Sequence, residues 1–439
     1  MGLEIFTPLP SSQPYMMNSQ PLFFHRGHPI KQIAFQALVR QLASQLSIDA
    51  KFGAHTVDPI LLNAALNLAS ENRLSMVLIP ESCAAADAQA LAEENNCRFI
   101  LVGTRDSFHV KLTSIGGLKV EDPFLGVFTS GTSGVPKLVY HDWDRIQLAS
   151  KKVPERLWRK NWLMCYSPSS FAGLQVFFSA FSSGGTLHYA DSDFFSLCRI
   201  ISDSPIHIIS ATPSFWRLLI TSWPPDQIPP VLDQATVGGE IVGQDILDLI
   251  CEFFRPRKLT HIYASTEAGS VIGVSDGREG FPVTWLAGKE GVQVRIRNNL
   301  LEVSSKSAMK QYATKGSRII EEPIWIRTPD IVEIRGDRVI FLGRADGIIN
   351  VGGTKVMPEQ VERVISSIDG ISDCHVYNKD NPVTGSLLAA DVVQETVTWT
   401  IPDLKAEIRK RLQPTHVPQY IRFVSSVAIS PTGKKTRVQ

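Results

Sequence analysis

The sequence predicts an α/β protein in which a large N-terminal domain of layered α/β subdomains, with a barrel-like β part, is followed by a small mobile α+β C-terminal domain. Up to about residue 265, helical segments alternate with apolar runs of strand length, as in largely parallel sheets covered by helices. From Val292 to Phe341 the pattern changes to short strands joined by turns, which indicates an antiparallel or barrel-like part. A third, mixed pattern occupies residues 345–439.

Bulk composition is ordinary for a globular protein of this size. The chain has 439 residues, 44% of them hydrophobic and 20% charged, and a net charge of +1, which gives no strong field for nucleic acid. The six cysteines are scattered and lack metal-ligand spacing, which is typical of reduced thiols in a cytoplasmic protein. No stretch approaches the ~20 apolar residues of a membrane span, and no secretory signal is evident at the N-terminus.

The N-terminal third begins with an irregular lead-in over residues 1–30, rich in Pro, Ser and Gln. A helix follows, because five apolar side chains share one face at helical spacing. Those side chains belong to Phe35, Leu38, Val39, Leu42 and Leu46. The next predicted elements are helices at 58–72 and 84–94 and strands at 75–79 and 98–102.

The alternation continues through the middle of the chain. Predicted strands there cover residues 162–166, 186–189, 206–209, 234–237 and 259–263, with helices at 173–181 and 243–254. In the last part, a strand at 348–351 is expected to lead through a glycine turn directly into a helix that ends at Gly370. Two strands, a helix at 402–412 and a strand at 421–424 complete that part.

A nine-residue polar loop separates the apolar runs 124–128 and 138–140, which predicts a strand, a loop and a strand. Its residues are Thr129, Ser130, Gly131, Thr132, Ser133, Gly134, Val135, Pro136 and Lys137. Hydroxyl and backbone N–H donors suit anionic oxygens, glycines permit close backbone approach, and Lys137 adds a charge. The spacing differs from that of the Walker loop. Taken alone, the loop fits a polar hairpin about as well as a phosphate site.

A second candidate motif follows the predicted strand 259–263. Tyr263, Ala264, Ser265, Thr266 and Glu267 offer an aromatic face, hydroxyls and one carboxylate at a strand end. Ligands of α/β proteins bind at such ends. A surface turn with a half-buried tyrosine is the alternative.

The nine-residue loop resembles the signature loop of the acyl-adenylate-forming superfamily, which includes acyl-CoA and aryl-CoA ligases, firefly-type luciferases and nonribosomal peptide adenylation domains. Motifs similar to the superfamily's others follow in the same order, so the resemblance covers residues 125–437. They are the adenine loop at 235–240, the Tyr-Gly-x-Thr-Glu element at 263–267, the Trp-x-x-Thr-Gly-Asp element at 325–330, Gly-Arg-Ala-Asp at 343–346, a glycine turn at 352–362 and a lysine-bearing tail at 430–437.

The resemblance implies a role for each matching residue around the nucleotide. Gly239 and Glu240 belong to the adenine loop, Tyr263 stacks on adenine, Thr266 contacts the α-phosphate and Glu267 holds Mg²⁺. A carboxylate together with phosphate oxygens is the usual way to bind that cation.

Further roles implied by the resemblance concern the ribose and the moving domain. Asp330 takes both ribose hydroxyls, Arg344 reaches ribose or phosphate, and Asp346 is the hinge. Lys434 bridges the attacking carboxylate and the phosphate during adenylation, with Lys435 as the competitor if the register is off by one. The turn that lines the pantetheine tunnel contains Gly352, Gly353 and Lys355.

Three segments, 166–174, 210–216 and 262–270, are expected to line the acid pocket. The sequence departs here from the superfamily pattern, since Ala264 replaces a glycine and no histidine occurs at 167–173, where many members have an aromatic–His pair. Bulky side chains and the Ala264 methyl would suit a flat ring or a short chain. The predicted lining residues are Phe171, Gly173, Phe215, Trp216 and Ala264.

The expected function is a two-step ligase that uses ATP, Mg²⁺ and CoA. A carboxylic acid, aromatic or otherwise compact, is activated to acyl-AMP and then transferred to the thiol of CoA, with residues 1–344 and 345–439 as the two domains. Transfer to a carrier protein's phosphopantetheine, an idle binding protein, and an acyl transferase without adenylation remain as alternatives. A homodimer is one admissible assembly.

Overall fold

The computed structural model describes residues 21–46, 51–115, 123–129, 137–189, 194–289, 291–312, 325–381, 385–395, 399–430 and 434–435. Within these residues the helices are α1 (Gln32–Ala43), α2 (Pro59–Glu71), α3 (Ala85–Glu94), α4 (Trp143–Ile146), α5 (Phe171–Ser182), α6 (Phe194–Asp203), α7 (Pro213–Thr221), α8 (Gln244–Phe254), α9 (Pro358–Ser366) and α10 (Ile401–Arg411).

The strands of the described residues belong to five sheets. They are β1 (Phe23–His25), β2 (His28–Ile30), β3 (Phe52–His55), β4 (Met76–Leu78), β5 (Phe99–Thr104), β6 (Ser107–Leu112), β7 (Phe124–Thr129), β8 (Lys137–Asp142), β9 (Asn161–Met164), β10 (Thr186–Tyr189), β11 (Ile208–Ala211), β12 (Gln234–Gly238), β13 (Leu259–Ser265), β14 (Gly269–Val274), β15 (Phe281–Pro282), β16 (Val292–Arg297), β17 (Leu300–Ser305), β18 (Gln311–Tyr312), β19 (Ile326–Arg335), β20 (Arg338–Arg344), β21 (Ile349–Val351), β22 (Thr354–Val356), β23 (Ile371–Asn381), β24 (Gly385–Gln394) and β25 (Tyr420–Phe423).

Two sheets with parallel centres form the first two thirds of the chain. One has the order β18-β8-β7-β4-β3-β5-β6, and the other has the order β14-β13-β12-β11-β9-β10-β1-β2. The pairs are parallel from β7 to β5 and from β13 to β1, while the edge pairs are antiparallel. Because the carboxyl ends of parallel strands meet at one edge, the segments after β9, β11, β12 and β13 converge there.

Helix α2 is buried along most of its length in a core that takes side chains from both sheets. Asp58 begins the helix, because its carboxylate accepts from the backbone N–H groups of Ile60 at 2.9 Å and Leu61 at 3.2 Å. Pro59 occupies the first helical position, where a missing N–H has no cost. The structure thus confirms the helix predicted over residues 58–72, and its burial explains its apolar sequence.

The predicted antiparallel part is a sheet in the order β15-β20-β19-β17-β16. The C-terminal part follows a short 3-10 turn at Ala345–Gly347 and contains the β21–β22 hairpin and the sheet β23-β24-β25. Helices α9 and α10 cover that sheet through an apolar core of its own, to which Val361, Ile365, Leu404 and Ile408 contribute. These features confirm the predicted fold class of a large layered domain followed by a smaller α+β one.

Two local predictions were wrong. Of the irregular lead-in predicted over residues 1–30, residues 1–20 lie outside the described residues. The rest is not irregular, because β1 and β2 form a hairpin and β1 pairs with β10 in the eight-stranded sheet. The turn after β21 leads into a second strand rather than into a helix. Gly352 and Gly353 both have positive φ, at 55° and 91°, which is the conformation of a tight two-residue hairpin.

In the part of the chain that the structure describes, no helix is both long and apolar enough to cross a membrane. All six cysteines are free.

Candidate active site

The hairpin of β7 and β8 carries the predicted phosphate loop. Thr129 at the end of β7 pairs with Lys137 at the start of β8, so the pairing reaches both flanks of the loop. Thr129 is half-buried and Lys137 is exposed. The loop members between them, Ser130, Gly131, Thr132, Ser133 and Gly134, lie outside the described residues.

The segment before β18 connects this hairpin with the end of β13. The backbone N–H of Met309 donates to the carbonyl of Glu267 at 2.7 Å, and the next N–H, of Lys310, donates to the carbonyl of Tyr140 at 2.8 Å. β18 then pairs with β8. The turn that carries Glu267 therefore lies beside the strand that leaves the phosphate loop.

Tyr263 and Asp330, predicted to hold adenine and ribose, are in direct contact. The phenol donates to Oδ2 of Asp330 at 2.5 Å, and the ring stacks on Phe341 with centroids 4.8 Å apart. Burial and the charge of Asp330 raise the pKa of Tyr263 well above its usual range, so the phenol stays a donor. The tyrosine thereby orients the carboxylate predicted to accept the ribose hydroxyls.

Arg344 connects that carboxylate to the predicted hinge. Its guanidinium makes two hydrogen bonds to the carboxylate of Asp346, at 3.0 and 2.9 Å, and its Nη1 lies 3.7 Å from Oδ1 of Asp330. Burial alone would lower the pKa of Arg344, but the neighbouring carboxylates raise it. The predicted ribose ligand and the predicted hinge are therefore linked by one cation.

The predicted adenine loop lies against the predicted catalytic lysine. Gly239 has a φ of 87°, and a Cβ placed there would lie 3.4 Å from Cγ2 of Thr212 and 3.5 Å from Cε of Lys434. Gly238 has even less room, since its Cβ would meet the carbonyl of Ile262 at 2.8 Å. Gly239 therefore gives the Lys434 side chain a surface on which it can lie, while Gly238 permits the close approach of β13.

Lys434 stands in a polar tail and is exposed to solvent overall, yet the end of its side chain lies against Gly239. Desolvation by the protein atoms around the ammonium lowers its pKa, as does the charge of Arg344, while the carboxylates of Glu240, Asp330 and Glu267 act in the opposite direction. Three predicted site carboxylates of the large domain thus act on the ammonium group of a C-terminal-domain lysine. An ammonium held at this position is suited to bind an anionic group.

Lys435, the competitor for the catalytic role, points elsewhere. Its Nζ donates to Oδ1 of Asp373 at 2.8 Å and to the carbonyl of Cys374, both on β23 of the C-terminal domain. Burial opposes its charge, but the carboxylates of Asp373, Glu362 and Glu240 raise its pKa above the usual range. The ammonium of Lys435 is therefore held within the C-terminal domain, and Lys434 alone of the two faces the predicted nucleotide site.

Glu267 was predicted to hold Mg²⁺. Among the described residues, no group of three or more His, Cys, Asp or Glu side chains could hold a metal ion. The Glu267 carboxylate is only partly buried. This donor set fits a cation that takes most of its ligands from phosphate oxygens and water, as Mg²⁺ commonly does.

The predicted acid-pocket residues fall into two groups. Phe171 belongs to a buried core cluster, and the partly buried Ala264 packs against the same cluster. Gly173 has a packing explanation, because a Cβ there would lie 2.1 Å from the carbonyl of Ser167. Only glycine permits that close approach between helix α5 and the turn that precedes it.

Phe215 and Trp216 lie in a different core cluster, around α7 and α8. The Phe215 ring is 5.0 Å from that of Phe194. Trp216 is fully buried, and its Nε1 donates to the carbonyl of Thr236 at 3.0 Å. We therefore do not retain Trp216 as a pocket residue, because its indole is engaged inside the core.

His141 is a residue that the sequence reasoning missed. It is 0% exposed on β8, and its ring lies 5.5 Å from that of Phe171. Burial lowers its pKa to about 4, while the nearby backbone of Thr266 opposes that shift. A neutral imidazole thus lies between the phosphate-loop hairpin, the Thr266 turn and the predicted acid pocket. Only the position of His141 four residues after Lys137 could have drawn attention to it.

The glycine turn of the C-terminal domain lies at the tip of the β21–β22 hairpin. Gly352 and Gly353 are exposed, and a Cβ at either would meet no atom within 4 Å. Lys355, on β22, is also exposed. The glycine turn therefore faces solvent in this structure, while the Lys434 side chain lies against Gly239.

Family models match two parts of the chain. Residues 33–303, more than half of the chain, match the AMP-binding enzyme family, and residues 360–434 match the AMP-binding enzyme C-terminal domain. The chain belongs to the AMP-binding enzyme family. This membership agrees with the resemblance read from the signature loop and the motifs that follow it.

Curated relatives include acid ligases with different acceptors. A 3,4-dihydroxybenzoate–aryl-carrier protein ligase of Bacillus anthracis is 23% identical over 88% of this chain and 90% of its own. A probable 2-succinylbenzoate–CoA ligase of Mycobacterium tuberculosis is 24% identical over 74% of this chain and 86% of its own. A putative acyl–CoA ligase of Bacillus subtilis is 26% identical over 72% of this chain, which spans 66% of that protein's length.

Solved structures of the family share the fold. An E. coli MenE variant with bound OSB-AMS superposes with a TM-score of 0.72 at 17% identity, covering 92% of this chain and 91% of that one. ATP-bound MatB from Rhodopseudomonas palustris gives 0.75 at 14% identity, covering 95% and 93%. These likenesses agree with the two-domain architecture described above.

Proposed function

We propose that this protein is an AMP-forming ligase, which joins a carboxylic acid to ATP to give acyl-AMP and pyrophosphate and then passes the acyl group to the thiol of CoA. The observation that carries the proposal is Lys434, a C-terminal-domain lysine whose side chain lies against Gly239, where the charges of Asp330 and Glu267 act on it. Family membership and the activities named for the relatives support it.

In the first step the chain positions two anions and stabilises the charge that develops between them. Lys434 binds the attacking carboxylate and the α-phosphate together, while the hydroxyls and N–H groups of loop 129–137 bind phosphate oxygens. Asp330, oriented by Tyr263, accepts the ribose hydroxyls. Such chemistry depends mainly on placement and electrostatics, for which pre-oriented groups are suited.

Mg²⁺ is proposed to bind between Glu267 and the phosphates and to neutralise their charge. The substitution Glu267→Gln removes the anionic oxygen but keeps the shape. We expect the Mg²⁺ concentration that gives half-maximal ATP–pyrophosphate exchange to rise by at least ~10-fold. Glu333→Gln, the same change at an exposed glutamate of β19, is the matched control. A Mg²⁺ titration of the Glu267 variant that overlays the wild type would remove this residue from the metal site.

The second step requires that Lys434 leave the pocket and that a thiol enter it. We propose that the C-terminal domain turns about Asp346, which would bring the exposed turn at Gly352 and Gly353 to the pantetheine arm. The Arg344–Asp346 pair supports a coupling between the nucleotide and the hinge, since Arg344 also lies near the ribose carboxylate of Asp330. Loss of pyrophosphate would release that coupling.

The proposed acid is aromatic or otherwise compact. Phe171 and the neutral His141 imidazole favour a flat ring with a hydrogen-bonding substituent. Two of the relatives are named for such acids, 3,4-dihydroxybenzoate and 2-succinylbenzoate. Reduced cysteines and the need for ATP and CoA support a cytoplasmic location.

Ala264→Gly is expected to widen the acid pocket. Removing the methyl should raise kcat/KM for acids with a bulkier chain by ~10-fold relative to benzoate, because one methyl group in an apolar pocket is worth about that much discrimination. The measurement is pyrophosphate exchange with benzoate, hexanoate and decanoate. Ala43→Gly, at a partly buried alanine of α1 outside the three predicted lining segments, is the control. An unchanged ratio of rates would place the acid away from Ala264.

A carrier-protein thiol is the second candidate acceptor, favoured by the relative that acts on an aryl-carrier protein. One experiment tests both readings. ATP–pyrophosphate exchange is measured with benzoate, 3,4-dihydroxybenzoate, 2-succinylbenzoate and hexanoate, and the fastest acid is then supplied with CoA or with a phosphopantetheinylated carrier protein. Thioester formation with CoA supports the first candidate, and formation with the carrier alone supports the second. Absence of acid-dependent exchange would reject both and favour an idle binding protein or an acyl transferase.

A further inference from the structure

We propose that Lys435 is a positioning residue, which orients the neighbouring Lys434 into the nucleotide pocket by joining the large domain to the C-terminal domain at that point. This inference rests on the adenylation reaction proposed above. It assigns to the second lysine of the tail a role distinct from that of the first.

The contact with the large domain runs through Glu240. The backbone N–H of Lys435 donates to Oε1 of that glutamate at 2.9 Å. The other carboxylate oxygen accepts from the backbone N–H of Ser214 at 3.0 Å, in the first turn of α7. Glu240 is therefore fixed on one side by the large domain and receives the tail on the other. Glu240, which was predicted as part of the adenine loop, thus accepts a hydrogen bond that joins the two domains.

The contact with the C-terminal domain uses the Lys435 side chain. Its ammonium donates to Asp373 at 2.8 Å and to the carbonyl of Cys374, so it is anchored to β23 by a charge and by a backbone dipole. Both side chains of the Lys435–Asp373 pair are nearly buried, at 13% and 12% exposure. Hydrogen-bonded ion pairs with little solvent hold a definite geometry better than exposed pairs do.

The direction of Lys434 follows from this anchor. Lys435 forms an antiparallel bridge with Ile429, and the N–H of Ser430 donates to the carbonyl of Lys434 at 2.7 Å. The Lys435 side chain is held in the C-terminal domain, whereas Cε of Lys434 would lie 3.5 Å from a Cβ placed at Gly239. The anchor at Lys435 thus fixes the backbone beside the bend at Lys434, from which the Lys434 side chain extends toward Gly239.

A small error in this placement would matter for catalysis. Lys434 has to contact the carboxylate and the phosphate at the same time, and misplacing a catalytic group by about 1 Å can cost ~10²-fold in rate. The contact is also specific to one of the two proposed steps. Adenylation needs Lys434 inserted, whereas thioester formation needs it withdrawn.

The test is Lys435→Met, which keeps the length of the side chain and the N–H donated to Glu240 but removes the ammonium. We expect ATP–pyrophosphate exchange with the fastest acid of the panel to fall by ~10-fold to ~10²-fold. The rate at which the variant converts the synthetic acyl-adenylate of that acid and CoA to thioester should stay within ~2-fold of wild type. A purely structural defect in the C-terminal domain would reduce both rates, since that domain takes part in both steps.

Lys410→Met is the matched control, the same substitution at a lysine of α10 that is 72% exposed and paired with Glu407. Both of its half-reactions should match the wild type, because exposed pairs contribute little. Glu240→Ala is a second variant that leaves the C-terminal domain unaltered, and it should show the same selective loss of exchange.

Three outcomes overturn the proposal. Exchange by Lys435→Met within ~2-fold of wild type would show that the anchor does not orient Lys434. A parallel loss of both half-reactions in Lys435→Met and Glu240→Ala would assign these residues to folding. A wild-type protein that exchanges with no acid would overturn the proposed function and this inference with it, which distinguishes that failure from the other two.

Discussion

Lys434→Ala is expected to lower the rate of acid-dependent ATP–pyrophosphate exchange by ~10²–10³-fold, since that is the usual effect of removing one group that stabilises charge in a transition state. The end of the side chain lies against Gly239, and the carboxylates of Asp330 and Glu267 act on its charge, so alanine would remove a cation from the proposed nucleotide site. Conversion of a synthetic acyl-adenylate and CoA to thioester should be nearly unaffected, because the proposed second step takes place with Lys434 withdrawn.

Lys410→Ala controls for the loss of a lysine from the same domain without loss of a site contact. Exchange by Lys434→Ala at the wild-type rate would exclude Lys434 from the first step. We expect the exchange rate to fall further in Lys434→Ala than in Lys435→Met, where the loss is ~10-fold to ~10²-fold. This difference would fit the roles proposed for the two lysines, since Lys434 contacts the reacting groups and Lys435 positions Lys434.

Gly353→Trp is expected to produce the opposite split. A Cβ at this glycine meets nothing within 4 Å in the present arrangement, so adenylation should stay within ~3-fold of wild type despite the strain of a φ of 91°. Once the C-terminal domain turns, an indole at the hairpin tip would occupy the path of the pantetheine arm. Thioester formation from a synthetic acyl-adenylate should fall by more than ~10²-fold, because the thiol could no longer reach its attack position.

Gly336→Trp is the control for Gly353→Trp. Gly336 also has positive φ, at 59°, lies in open space, and stands at the tip of the β19–β20 hairpin of the large domain. It should leave both half-reactions intact. An equal loss of exchange and thioester formation in Gly353→Trp would argue against a role of the glycine turn in the second step alone.

Much of the fold could be predicted because local signals and tertiary packing agree. Helix α2 has a capping aspartate, a proline in its first turn and an apolar sequence, and it is buried as that pattern indicates. The hairpin at β1 and β2 was missed because its strands have three residues each, too short for a periodic signal, and pairing with β10 stabilises them. The turn at Gly352 was assigned to the wrong connection because two glycines permit a hairpin as readily as a strand–helix turn.

The motif order identified residues that the structure brings together from distant parts of the chain. Tyr263, Asp330, Arg344 and Lys434 are examples, because each stands at a fixed place in a recognisable short pattern. Spacing alone could not decide between Lys434 and Lys435, which differ only in the direction that the tertiary structure gives them. Nor could it reveal that Trp216 is held inside the core.

Contacts that depend on two distant elements were beyond the sequence. His141 lies against Phe171 and the Thr266 turn, yet nothing in the residues around it indicates such a partner. Glu240 accepts a hydrogen bond from the backbone N–H of Lys435, which is 195 positions later in the chain. Such pairings follow from the packing of whole domains, which no local pattern encodes.

The central claim, that this pocket joins the acid's carboxylate to the α-phosphate of ATP, can be tested by isotope transfer. An acid labelled with heavy oxygen in its carboxylate is incubated with the protein, ATP, Mg²⁺ and CoA, and the nucleotide products are examined by mass spectrometry. Attack of the carboxylate on the α-phosphate predicts that one heavy oxygen appears in AMP and none in pyrophosphate. Formation of ADP with heavy oxygen in orthophosphate, or AMP without label, would contradict the account.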